Sequence, residues 1–188
     1  MNQEATFPSH SRRSPRRVLT SVWGLGLAIA LTACSFGGSA GQSKESADAA
    51  LSSVPGVSEG SVNTRSTING LHEETYTTVE VHVEPGFSVP DPEALVDYLV
   101  CVAWSTKTKE ATSSVEIIVV SDPQISIGDA VEAGQWVLTG SDPNFPEEAV
   151  VDAAEVKERF GDWPGEVPVL PDGLIVGPTP EPTPGPRT

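Results

Sequence analysis

The sequence predicts an α+β fold: a two-layer sandwich with a mainly antiparallel sheet and two helices, loosely ferredoxin-like. Three observations carry that expectation. From Thr78 to Glu84 the residues alternate, with Val79, Val81 and Val83 on one side and Thr78, Glu80, His82 and Glu84 on the other, as in a sheet with one face in water. After Asp91, the residues Leu95, Tyr98, Leu99 and Val102 recur at helical spacing. Ser114–Val120 is β-branched and almost continuously apolar, as in a central strand.

The elements follow in chain order. Ser61–Ile68 and Thr75–Val83 read as two strands of a hairpin. Asn69-Gly70 lies between them, and both residues tolerate positive φ in a loop that reads as longer than two residues. Asp91-Pro92-Glu93 supplies an N-cap, a proline in the first turn and an acid favourable to the helix dipole, opening a helix that runs to about Ser105. Val96, Val100, Ala103 and Trp104 widen its apolar stripe, so the helix should be heavily buried. Cys101 inside it reads as a lone thiol acting as a small hydrophobe. Residues 125–140 stay open between a helical turn at Asp129–Ala133 and a strand at Gln135–Thr139. Pro146-Glu147-Glu148 opens a second helix, expected to run through Phe160 and to close at Gly161.

Composition bounds the function. The chain has 188 residues, 26 acidic against 11 basic side chains, a formal charge of -15 and two cysteines. One ordinary domain with extensions fits that length. An excess of acid with no basic run beyond Arg17 excludes a folded nucleic-acid binder, since neutralising phosphates takes clustered Lys and Arg. Two cysteines cannot make a disulfide-dense scaffold or a four-cysteine zinc site.

The first 33 residues have the grammar of an export signal. Arg12, Arg13, Arg16 and Arg17 form a basic start, and Val18–Leu31 is uncharged and apolar. As a helix that run spans about 21 Å, short of the ~30 Å hydrocarbon core, which favours a cleaved signal over a permanent anchor. Leu31-Thr32-Ala33-Cys34 closes it, and all four positions match a lipobox, so the chain resembles bacterial lipoproteins. That resemblance implies a diacylglyceryl group on Cys34 and cleavage between Ala33 and Cys34, leaving Cys34 as the first mature residue on the outer face of the membrane. The layout also resembles small actinobacterial-type lipoproteins whose domains have no assigned function. Arg16-Arg17-Val18-Leu19 resembles the second half of a twin-arginine signal, but Pro15 precedes the pair and the usual second hydrophobic and Lys are missing, so a simple basic start is the favoured reading and the twin-arginine route the alternative.

The expected organisation is therefore a signal peptide over residues 1–33, the lipidated Cys34 and a Gly/Ser/Ala-rich tether over 34–53, a domain over 54–171, and a Pro/Thr-rich tail over 172–188. Losing Arg12, Arg13, Arg16 and Arg17 against Glu4 would make the mature chain more acidic than the precursor. Such a domain is repelled from an anionic membrane surface within about a Debye length, ~8–10 Å.

Catalytic patterns are sparse. Gly37-Gly38-Ser39-Ala40-Gly41 matches G-x-S-x-G, but no strand or helix is expected beside it, so no nucleophile elbow is assigned. His82 with Glu80 and Glu84 on one strand face is the metal-ligand candidate, without a further ligand group at fixed spacing, and no metal or other cofactor is assigned. Adjacent acids such as Glu73-Glu74 and Glu147-Glu148 follow from composition alone. Trp163, after the second helix, is the candidate partner anchor, with capping of the core as the alternative. The reading is a non-enzymatic lipid-anchored module that binds an envelope partner or ligand or supports the envelope. A small hydrolase using surface carboxylates and a metal- or solute-capturing module are the alternatives.

Overall fold

The computed structural model describes residues 40–178. Ala33, Cys34, the apolar run before them, most of the G-x-S-x-G match and the end of the Pro/Thr tail lie outside those residues. Among the described residues no helix is long and apolar enough to cross a membrane.

The elements run α1 (Lys44–Ser52), β1 (Val57–Asn69), β2 (His72–Val83), α2 (Pro92–Ser105), β3 (Ser114–Val120), α3 (Ile127–Ala133), β4 (Leu138–Asp142), β5 (Phe145–Asp152) and α4 (Ala153–Phe160). The five strands form one sheet in the order β1-β2-β3-β5-β4. Only the β2–β3 pair is parallel, joined by the crossover through α2. The other neighbours are antiparallel. The mixed α+β, two-layer architecture expected from the alternation is therefore present, with two hairpins, β1–β2 and β4–β5, and two helical crossovers, one through α2 from β2 to β3 and one through α3 from β3 past β5 to β4, as its connections.

Side-chain alternation decides which face is covered. Val79, Val81 and Val83 of β2, Val115, Ile117 and Val119 of β3, and Ala149 and Val151 of β5 are buried. They meet Leu95, Val96, Leu99, Val100, Val102 and Trp104 of α2, Ile127 and Val131 of α3 and Val156 of α4 in one core. Burial of each such side chain is worth roughly 1.5–3 kcal/mol, so α2 holds the helical layer to the sheet. Asp91 caps α2 as expected, its Oδ1 accepting the N–H of Ala94 at 3.0 Å. At the far end Trp104 donates from Nε1 to the carbonyl of Gly161 at 3.0 Å. A Cβ on Gly165 would lie 2.8 Å from the Trp104 ring, so glycine is what lets that segment close over the indole.

Several boundaries differ from the sequence expectation. The folded unit begins before residue 54: Ser43 caps α1, accepting the Ser46 N–H, and Ala47 and Leu51 of this helix are fully buried. It also continues past residue 171, because Leu174 and Ile175 are buried and Val176 bridges to Ser88. The hairpin strands are longer than expected and their loop shorter. Asn69 pairs with His72, leaving Gly70 and Leu71 as the two central residues, with Gly70 at φ 65°, the placement a type II′ turn requires.

The second predicted helix is half strand. Phe145–Asp152 forms β5, because Ala149 and Val151 alternate into the core and pair with β3, and helix begins only where Asp152 caps Ala154 at 2.7 Å. With α1 and α3 as well, the described residues hold more helices than the two expected. Cys101 is buried, yet it is disulfide-bonded and not a lone thiol.

Candidate functional site

The face of the sheet opposite the helices is polar and partly accessible. It presents Arg65 from β1, Tyr76, Thr78, Glu80 and His82 from β2, Glu116 from β3 and Glu148 from β5. Each is held there by the same period-two alternation that buries its sequence neighbours.

Contacts run across the strands. Thr78 donates to Glu116 Oε2 at 2.5 Å. Glu116 in turn shares a hydrogen bond with Glu148, a diagonal neighbour two strands from Thr78. Partial burial, the bond to Glu116, and the charges of Glu116 and Glu147 all push the Glu148 carboxyl above its ordinary value, opposed by Arg65. Arg65 also lies over the Tyr76 ring, 5.4 Å from its centroid, while Tyr76 donates to Glu74 Oε2 at 2.7 Å.

Glu148 links this face to a cleft. Between α3 and the β4–β5 hairpin lies a cavity of about 310 Å³, with Asp129, Glu132, Asp142 and Glu148 around Leu138 and Phe145. Phe145 is 53% exposed although it begins a strand. The hairpin carries it outward: Asp142 pairs with Phe145, and the Asp142 carboxylate holds the turn by accepting from the Asn144 backbone N–H at 2.9 Å and side-chain Nδ2 at 2.7 Å. Acidic groups beside an exposed aromatic suit a ligand that is cationic and partly apolar. The sequence reading missed this cleft because it placed Glu147 and Glu148 in a helix and left residues 125–140 open.

The residues singled out from the sequence are spread over the fold. His82 and Glu80 do meet, with Nε2 to Oε1 at 2.8 Å, whereas Glu84 lies past the end of β2 and is exposed. Among the described residues no three His, Cys, Asp or Glu side chains converge as a metal site would require. Trp163 is half-buried and packs against the core. Trp136 is buried, donating to Asp97 Oδ1 at 2.8 Å. Comparisons with protein-family models, curated proteins and solved structures found no match to this chain.

Proposed function

We propose that the chain is a lipid-anchored extracytoplasmic binding module whose cleft between α3 and the β4–β5 hairpin takes a cationic, partly apolar group of an envelope partner or ligand. The anchoring half rests on Leu31-Thr32-Ala33-Cys34 at the end of an export signal. Two acyl chains on one cysteine hold a protein stably at a membrane, since each buried methylene contributes ~0.8 kcal/mol and one chain alone binds only marginally. The binding half rests on one observation: four carboxylates and an exposed Phe145 stand around a concave space large enough for a side chain or small amine.

Binding is favoured over chemistry by what the acids do. Glycosidic cleavage needs two carboxyls ~5–10 Å apart with substrate between them, whereas Glu116 and Glu148 are hydrogen-bonded to each other. A His82-centred capture site is disfavoured because Glu80 already engages the imidazole.

The test has two arms. Metabolic labelling with a fatty-acid analogue should mark the wild-type chain and not Cys34→Ser, and Cys34→Ser should leave the membrane fraction; label retained on the variant overturns the anchor. Titration with a short lysine- and phenylalanine-containing peptide should show salt-sensitive binding that Asp142→Asn and Phe145→Ala each weaken. Binding unaffected by both substitutions, or equal binding of an acidic peptide, overturns the cleft assignment.

A further inference from the structure

The β1–β2 hairpin outreaches the rest of the sheet. β3 begins at Ser114, opposite Tyr76 of β2, and Tyr76 pairs with Arg65 of β1. Beyond that level the hairpin continues without a third strand, pairing Ser66 with Thr75, Thr67 with Glu74, Ile68 with Glu73 and Asn69 with His72. At ~3.4 Å per residue, these pairs and the turn form an arm roughly 15 Å long. Its end carries Ile68 and Leu71, 81% and 99% exposed, the two most exposed large apolar side chains among the described residues. The arm is braced by the segment after α2. Thr108 and Thr64 share a hydrogen bond between their hydroxyls at 2.6 Å, Lys109 Nζ donates to Ser66 Oγ at 3.2 Å and pairs with Glu73, and Thr112 accepts the Thr75 N–H at 3.0 Å.

The same segment receives the start of the described chain. Lys107 donates its N–H to the carbonyl of Gln42 at 2.7 Å, and Gln42 donates its own to the carbonyl of Ser105 at 2.7 Å. Lys107 is two residues from Lys109, so the chain enters at the end of the molecule from which the arm projects. Cys34 precedes Ala40 by six residues, a span of at most about 22 Å. A lipid on Cys34 therefore holds this end nearest the membrane. The cleft lies at the other end of the sheet. Ser114 at the arm's level pairs with Asp152, Glu148 pairs farther along with Ile118, and Phe145 lies farther still.

Given the proposed anchor, on which this rests, we infer that the tip of the β1–β2 arm, through Ile68 and Leu71, docks into the surface of the lipid bilayer that carries Cys34. Reach and charge select this occupant. An arm of roughly 15 Å beside a tether of at most about 22 Å comes to the surface that holds the tether. From Gly60 to His72 there is no Asp or Glu, and Arg65 and His72 flank the tip. Glu73 and Glu74, next in line, are engaged by Lys109 and by the Tyr76 hydroxyl. The acids that line the cleft, Asp129, Glu132, Asp142 and Glu148, stand at the far end. Repulsion from anionic headgroups turns that end away from the membrane, while the acid-free arm can approach. Because the hairpin is already braced, Ile68 and Leu71 gain apolar cover without the cost of ordering a loop. Docked in this way, the domain points its cleft away from the membrane, toward a partner in the envelope.

Photolabelling from within the bilayer tests this. The full chain, purified from membranes, is reconstituted into vesicles of phosphatidylcholine and phosphatidylglycerol containing a lipid with a diazirine on its acyl chain. The vesicles are floated and irradiated, and the protein is digested with trypsin. Label is expected on the peptide of residues 66–107, at positions 68–71, and not on the peptide of residues 110–157 that holds Phe145. Ile68→Ser combined with Leu71→Ser changes only exposed side chains; it should remove that label while flotation and the far-ultraviolet circular dichroism spectrum stay unchanged. A chain that floats but carries no label at positions 68–71, label that survives the double substitution, or equal label around Phe145 overturns the docking and leaves the anchor standing. A chain that does not float overturns the anchor, and the docking falls with it.

Discussion

Asp48 of α1 accepts the backbone N–H of Val62 in β1 at 2.8 Å, so one helical carboxylate serves as a partner strand for the edge of the sheet. Lys44 steadies that carboxylate from one helical turn earlier, 2.7 Å from its other oxygen. Val62 is fully buried. Asp48→Ala should therefore destabilise the fold by roughly 1–3 kcal/mol, the cost of leaving a buried donor unsatisfied. Asp48→Asn, which keeps an acceptor, should lose less. Urea unfolding measures both, and hydrogen exchange should show faster opening at Val62 in Asp48→Ala; equal losses in the two variants would contradict this account.

The legibility of the fold follows from how each element is stabilised. β2, β3 and α2 were readable because their core-facing residues repeat at the period of the element, and the Asp91-Pro92 cap marks the start of α2. Helix α1 was not readable, since its only core residues are Ala47 and Leu51 in an otherwise polar stretch. It forms because Gly60 opposite it leaves room for close packing, a long-range relation invisible locally. β5 was misread because Pro146-Glu147-Glu148 imitates a helix start, while the deciding contacts lie across the sheet in β3. Of the candidate site, the open sheet face was visible in the alternation around His82, whereas the cleft beside Phe145 depends on a hairpin whose Asp142-Pro143-Asn144 turn signal was overridden by the helix start that Pro146-Glu147-Glu148 imitates.

Arg159 of α4 stacks over Trp136, with its guanidinium carbon 3.9 Å from the ring centroid, and this pairing fixes the irregular turn after α3. The guanidinium donates to the carbonyls of Gly134, at 3.1 Å, and of Gln135, and to Glu155 Oε1 at 2.6 Å. Gln135 sits at φ 60°, a left-handed conformation unfavourable for a side-chain-bearing residue that these contacts hold in place. Glu155 completes the arrangement by accepting the Val137 N–H at 2.6 Å. A single ammonium cannot reproduce a planar fork that stacks and donates in several directions. Arg159→Lys should accordingly cost about 1–2 kcal/mol and alter the Trp136 fluorescence; a thermal midpoint and emission spectrum matching wild type would refute this role.

Cys34 and Cys101 are the two cysteines of the sequence. A sulfur joined to a diacylglyceryl group is a thioether and has no valence left for a disulfide, so lipid and disulfide are exclusive fates for Cys34. The proposed anchor predicts that, in protein isolated from membranes and digested without reductant, the peptide beginning at Cys34 carries lipid that survives later reduction. Recovery of a Cys34 peptide joined to the Cys101 peptide and released only by reductant would instead assign that sulfur to the fold.

The raised carboxyl of Glu148 gives stability a defined dependence on pH. Glu148 has a folded-state value raised above its ordinary 4.5, first through burial and then through Glu116. The folded state therefore holds its proton more tightly than the unfolded chain does. The corresponding stability is fully present below the ordinary value and is lost as pH rises through the raised one, where a second negative charge forces β3 and β5 to carry facing carboxylates. Glu148→Gln removes that charge while its amide still donates to Glu116. The variant should be more stable than wild type at neutral pH, and the advantage should shrink as the medium is acidified toward the ordinary carboxyl range. Thermal midpoints of the two proteins across that range check the sign, and an advantage that stays constant with pH would show that folding does not raise the Glu148 carboxyl.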